Sequence, residues 1–216
     1  MCSSDLDSLE RSIGRGVRQY VILGAGLDSF AGRSELAGRV RLFEIDHPAT
    51  QEWKRQLGQA HADVIFIPMD FICDSLGDRL GQAGFDFTEP AFVSWLGVTM
   101  YLDEAAIGQT LSVVGGFAAG TELVVDYMLP ARLRDAEGNL YADLVGRASA
   151  EQGEPWLSLF GPDDMAALLS RHGFGPVRDV GQRDMVPAAA WERSDALRPI
   201  ELSRIAHALI AERPRR

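Results

Sequence analysis

The chain has 216 residues, of which 46% are hydrophobic and 24% charged, with a formal net charge of −10 at pH 7 and a pI of about 4.8. That is one domain by size, with an ordinary globular composition and room for a full core. So acidic a surface repels phosphate backbones and argues against a nucleic-acid substrate. No apolar run approaches the roughly 20 residues that span a bilayer, and no signal peptide is expected. Cys2 and Cys73 are the only cysteines, so no disulfide framework is implied and a reducing cytoplasm fits. His47, His61, His172 and His207 share no ligand-like spacing, and no metal is expected.

Taken in order, the chain opens on Met1 to Leu6, which reads as translated sequencing-adapter sequence and is set aside as a non-native scar. A helix is expected from Leu6 to Arg15, with Leu6, Leu9 and Ile13 on one face. Val21, Ile22 and Leu23 form a short unbroken apolar run, the pattern of a strand buried on both faces. A helix from Asp28 to Leu36 follows, ending near Gly38. Val40 to Asp46 is the second strand, and Pro48 stands at the start of a helix reaching about Gln59. Val64 to Ile67 is the third strand, and Asp74-Ser75-Leu76 opens a helix to about Ala83. Ala91 to Leu96 is the fourth strand; Asp103 caps a helix to about Phe117, and Thr121 to Tyr127 is the fifth strand. Residues 129–155 break the rhythm as a polar, helix-prone insertion, a candidate lid or a plain surface excursion. A helix from Gly161 to His172 and a strand from Phe174 to Val180 follow. Arg198 to Ile210, by its alanine content alone, would suit a helix. Strands alternating with helices imply right-handed crossovers and a parallel sheet wound on both faces.

The chemistry gathers at the strand ends. Gly24-Ala25-Gly26 follows the first strand at once, and glycines there let a ligand approach the backbone closely. Position 29, where a dinucleotide fingerprint wants a third glycine, is Ser29, which counts against NAD and leaves room for a single-nucleoside cofactor. Asp46 lies twenty residues past Gly26, where an acid meets ribose hydroxyls in such folds. Asp70-Phe71 and Leu96-Gly97 also fall at strand ends, outside which ligands of open parallel sheets sit. Asp70 could equally be a helix cap or turn residue. Asp126 and Tyr127, ending the fifth strand, are the polar pair best placed to face an acceptor. Tyr101 is a candidate to join them, although an aromatic after a strand more often serves the core. A Rossmann oxidoreductase and a non-catalytic binding domain are the competing readings; the first lacks a Tyr-x-x-x-Lys or similar pair.

Four ordered blocks carry a resemblance. They are Val-Ile-Leu-Gly-Ala-Gly-Leu-Asp-Ser (21 to 29), Phe-Glu-Ile-Asp-His-Pro (43 to 48) with Lys54, Pro-Met-Asp-Phe (68 to 71) and Trp-Leu-Gly-Val-Thr-Met-Tyr-Leu (95 to 102). Together they resemble the leucine carboxyl methyltransferase family, especially its bacterial S-adenosylmethionine-dependent O-methyltransferases, clearly from about Val17 to Tyr127 and more weakly beyond. The resemblance implies a single class I methyltransferase domain over residues 1–216, with a Rossmann-like, doubly wound, seven-stranded α/β sheet. Its last strand, within 198–210, would be antiparallel. It implies S-adenosyl-L-methionine as cofactor: Gly24, Ala25 and Gly26 on the methionine part, Asp46 on the ribose, Asp70 and Phe71 on the adenine. Asp28, Glu44 and Leu96 complete the set. The family's eukaryotic enzymes carry Glu where this chain has Leu96, so that contact is absent or passes to backbone. Relatives also carry a helical segment before the first strand that grips the cofactor carboxylate, so an amino-terminally truncated gene and weak activity are expected. The acceptor is expected to be a small molecule or peptide terminus, methylated on oxygen; a carboxylate is already ionised and needs no base, whereas a hydroxyl wants one.

Overall fold

The computed structural model describes residues 3–58, 61, 63–185, 188–192 and 198–211. Seven strands form one sheet: β1 (Gln19–Leu23), β2 (Arg41–Asp46), β3 (Val64–Pro68), β4 (Ala91–Trp95), β5 (Glu122–Met128), β6 (Phe174–Gly181) and β7 (Ser203–Ile210). Their order is β3-β2-β1-β4-β5-β7-β6. The first five pair in parallel, and β7 runs antiparallel to both β5 and β6. Strand order reverses beside β1, so the crevice of this doubly wound sheet opens at the carboxyl ends of β1 and β4.

The helices are α1 (Ser3–Gly14), α2 (Phe30–Arg33), α3 (Pro48–Gln56), α4 (Leu76–Gln82), α5 (Glu104–Val114), α6 (Ala136–Glu151) and α7 (Pro162–Arg171). The stretch read as a scar continues into α1 from Ser3, and Leu6 is half-buried against the core. The helix expected over Asp28 to Leu36 is one turn, α2. Ser34 turns extended after Arg33, and the chain regains only a 3-10 turn at Ala37–Arg39. Caps fall where side chains supply them: Ser75 to α4, Asp103 to α5 and Asp135 to α6. No helix among the described residues is long and apolar enough to cross a membrane.

Alternation along the parallel strands divides two cores. Val21, Leu23, Phe43, Ile45, Val93 and Val125 meet Leu80, Ile107, Leu111 and Leu169 of α4, α5 and α7. Tyr20, Ile22, Leu42, Phe92 and Val124 meet Leu9, Ile13 and Phe30 of α1 and α2. The second core is sealed by charge as well as by apolar area. Glu122, at the start of β5, accepts from Ser12 Oγ and Arg15 Nη2, each at 2.7 Å, so α1 is tied to the middle of the sheet.

The insertion after β5 is well anchored. Asp135 takes the backbone N–H of Glu201 at 3.0 Å, and Gly138 of α6 lies so close to Glu201 that a Cβ there would meet its carbonyl at 2.3 Å. The returning limb is hydrogen-bonded over the β4 exit: Leu157 N donates to Met100 O (2.6 Å), Ser158 Oγ to Leu102 O (2.6 Å) and Phe160 N to Met128 O (3.0 Å).

Burial pushes the Glu122 carboxyl up, but the His207 ring 3.9 Å away and the hydrogen bonds from Ser12 and Arg15 outweigh it and hold the group below its ordinary value. A depressed carboxylate stabilises the fold above its unfolded value, and that contribution is lost as pH falls through the folded one. Glu122→Gln should therefore lower the unfolding free energy by about 1–3 kcal/mol at pH 7. In urea titrations the gap from the parent protein should narrow below about pH 4. A gap constant from pH 7 to pH 3 would refute the assignment.

Candidate functional site

The first wall of the crevice is the turn after β1. Gly24 and Gly26 both adopt positive φ, +69° and +50°. They are needed for different reasons. A Cβ on Gly24 would stand 2.2 Å from Val98 Cγ2, so the loop leaving β4 is seated directly on the glycine turn. A Cβ on Gly26 would meet nothing within 4 Å, so that position faces open space. Gly24 and Ala25 both donate their N–H groups to Ile45 O, at 2.8 and 3.0 Å. The turn is thereby held across the end of β2.

Asp46, the last residue of β2, joins the pieces. Its Oδ2 accepts from Gly26 N at 2.5 Å and its Oδ1 from His47 N at 2.6 Å. Each oxygen keeps further lone-pair capacity for a ligand donor. His47 then caps α3, accepting Ala49 N on Nδ1 at 3.3 Å. Asp28 accepts Phe30 N at 2.6 Å and starts α2.

At the end of β3, Asp70 is a turn residue as well as a candidate ligand. Its Oδ1 accepts Ile72 N at 2.8 Å, while its own N–H goes to Asp74 Oδ2 at 2.9 Å. Phe71 is half-buried and stacks on Trp95, with ring centroids 6.4 Å apart and an interplanar angle of 22°. Phe71 also walls a cavity of about 410 Å³ reaching to Thr110 and Val113 of α5. Leu96 is half-buried at the end of β4, and Gly97 follows with φ +75°.

Two candidates are corrected. Glu44 does not reach the crevice: it is 1% exposed beneath α3, with Oε2 2.5 Å from Lys54 Nζ. Burial raises its carboxyl above the ordinary value against the pull of Lys54. Tyr127 is 1% exposed and donates its hydroxyl to Asp179 Oδ2 at 2.5 Å, and Asp179 is paired in turn with Arg204. Burial and the Asp179 charge push its phenol far up, so it stays protonated and occupied. Asp126 remains at the crevice, half-buried, taking Gly97 N on Oδ1 at 2.8 Å, while its carbonyl takes Thr99 Oγ1 at 2.7 Å. Tyr101 is half-buried in the 3-10 turn Thr99–Tyr101 beside it.

The structure thus brings Gly24, Ala25, Gly26, Asp28 and Asp46 into one bonded cluster, with Asp70, Phe71, Leu96 and Asp126 at the neighbouring strand ends. Sequence reasoning missed the seating of Val98 on Gly24 and the Gly97–Asp126 tie, neither of which has a motif. Among the described residues, no group of three or more His, Cys, Asp or Glu side chains could hold a metal.

Comparisons with known proteins bear on the family and the fold. The leucine carboxyl methyltransferase family model matches residues 6–115. YktD of Bacillus subtilis (strain 168), provisionally named an S-adenosyl-L-methionine-dependent methyltransferase, is 34% identical over 203 residues, which are 90% of this chain and 66% of that protein. A Streptomyces coelicolor protein with the same provisional name is 31% identical over 176 residues, 78% of this chain and 58% of its own. The chain therefore spans about two thirds or less of the length of these relatives. Among solved structures, human N-acetylserotonin methyltransferase in complex with SAM superposes with a TM-score of 0.62 at 14% identity, over 97% of this chain and 52% of that one. A Thermobifida fusca protein provisionally named a methyltransferase gives 0.63 at 17%, over 96% and 80%. These likenesses show the fold.

Gly24→Ala tests how the two loops meet. The new methyl would need both positive φ and the space of Val98 Cγ2. The variant should lose about 1–3 kcal/mol of stability, and pairing it with Val98→Ala should recover part of that. A Gly24→Ala protein that melts like its parent would refute the contact.

Proposed function

The chain belongs to the leucine carboxyl methyltransferase family, and from that premise we propose that it binds S-adenosyl-L-methionine in the crevice and transfers its methyl group to an oxygen of a small molecule or peptide terminus. One observation carries the cofactor reading: Asp46 ends β2 next to β1, beside which strand order reverses, and is bonded to Gly26 N twenty residues before it. A carboxylate so placed can accept from a ribose diol while the glycine turn leaves room for the rest of the ligand. The open space at Gly26 and the aromatic wall at Phe71 fit an adenosyl group. Ser29 at the third fingerprint position supports this reading over NAD.

When bound, the cofactor supplies an electrophilic methyl on a sulfonium. The protein must align the acceptor in line with it and exclude water. The limb at Leu157–Phe160, hydrogen-bonded over the β4 exit, borders the side on which Asp126 and Tyr101 lie, and we assign the acceptor entrance there. The insertion that begins this limb is the lid in this reading. A carboxylate acceptor needs only desolvation and alignment. A hydroxyl acceptor needs a base, and Asp126 is the group at that position able to serve. The net charge of −10 supports a small acceptor rather than nucleic acid.

Two measurements test the reading. Asp46→Ala should weaken S-adenosylhomocysteine binding roughly ten- to a hundredfold in calorimetry, the loss expected for hydrogen bonds to a charged acceptor; unchanged affinity would remove Asp46 from the site. Asp126→Asn keeps an oxygen for Gly97 N but removes the charge. Methylation of carboxylate acceptors should then change by less than about threefold, while hydroxyl acceptors should lose about 10²–10⁴ in kcat. Equal loss on both acceptor types would exclude Asp126 as base.

A further inference from the structure

Between β2 and α3 the structure buries more polarity than the fold requires. Lys54 is 2% exposed and Glu44 1%, and Nζ stands 2.5 Å from Oε2. One turn earlier on α3, Gln51, also 2% exposed, donates Nε2 to both Glu44 O and Ile67 O at 3.0 Å. Glu44 Oε1 and Gln51 Oε1 are buried with no hydrogen-bond partner. A buried ion pair with an unsatisfied oxygen is a poor source of stability, and apolar residues of similar volume commonly serve as well or better. What the pair supplies is direction. A short charge-assisted bond fixes how far along β2 the helix stands and how it is rotated, which interchangeable apolar contacts do not.

That register has a consequence at the crevice. Asp46 is two residues beyond Glu44 on the same side of β2, and α3 begins two residues after Asp46. His47, between them, caps α3 and donates its N–H to Asp46 Oδ1. A slide or rotation of α3 therefore moves the donor that holds one carboxylate oxygen, and with it the bond from the other oxygen to Gly26 N. We propose that Lys54 and Glu44 are positioning residues for the cofactor site: their buried ion pair locks α3 on β2 in the register that aims the Asp46 carboxylate at the ribose. The link to ribose rests on the S-adenosylmethionine reading; the hold on Asp46 does not.

The test compares the parent protein with Glu44→Leu/Lys54→Met, which removes both charges together. Three quantities are read: the melting temperature, amide hydrogen exchange at Gly26 and His47, and calorimetric affinity for S-adenosylhomocysteine. The expected result is a melting temperature equal to or above that of the parent, exchange at those two amides at least tenfold faster with β1 unchanged, and affinity at least tenfold weaker. Parental exchange at Gly26 and His47 in the folded double variant overturns the proposal. Faster exchange with unchanged affinity also overturns it, reducing the pair to a structural tie. If the parent itself fails to bind S-adenosylhomocysteine, the cofactor reading falls, and exchange alone still decides whether the pair holds Asp46. Should the double variant not fold, Lys54→Gln, beside which Glu44 can take up a proton, is measured against the same outcomes.

Discussion

Everything at the crevice depends on one carboxylate. Asp46 takes the N–H of Gly26 on one oxygen and that of His47 on the other, at 2.5 and 2.6 Å, so a single side chain spans the turn after β1 and the entry to α3. These charge-assisted bonds are stronger than neutral ones and directional. They fix the glycine turn relative to the second strand before any ligand arrives. The Ile45 carbonyl assists by taking both Gly24 N and Ala25 N. A ligand's hydroxyls would meet an acceptor whose position is already settled, so little ordering is left to oppose binding.

The two faces of the sheet solve burial differently. Beneath α4, α5 and α7 the core is apolar and aromatic, with Trp95, Phe43 and Leu111 almost wholly enclosed. The opposite face admits charge at two places, Glu122 under α1 and Glu44 under α3. α1 also buries Leu9 and Ile13, with Ser12 and the following Arg15 reaching Glu122, whereas the buried residues of α3 are the polar Gln51 and Lys54. The Glu122 network lies at the beginning of β5, far along the strand from the crevice, and reads as structural. The Glu44 pair lies two residues from the ribose acid, which is why the same chemistry acquires a functional meaning there.

Much of this architecture is legible in the sequence. The strands appear as apolar runs because parallel strands are buried on both faces, and Asp103 marks its helix by an ordinary cap. The misreadings share a cause. Residues 28–36 have helical composition, yet Ser34 leaves the helix and one turn survives. Glu44 looks like a ligand because it stands near a strand end, but alternation places it under α3, and only the fold brings Lys54 to it. The seventh strand, by contrast, forms where it is expected within 198–210, as β7, and its antiparallel ladders to β5 and β6 on either side fix it there.

The divergence of Asp126 and Tyr127 shows the same rule at its sharpest. Adjacent residues of a strand point to opposite faces, so two neighbours cannot both look into the same crevice from mid-strand. Asp126 follows Val124 on the face toward α1 and, at the carboxyl end of β5, reaches over to Gly97 of the neighbouring loop. Tyr127 follows Val125 into the other core, where its hydroxyl crosses β7 to reach Asp179 on β6. Arg204 on the intervening strand completes that cluster by pairing with the same aspartate. Tyr127 therefore binds the antiparallel edge to the parallel body of the sheet, and Asp126 holds the β4 exit loop whose Val98 covers Gly24. One dipeptide thus serves both ends of the problem: its tyrosine keeps the sheet whole, and its aspartate shapes the mouth that the sheet presents.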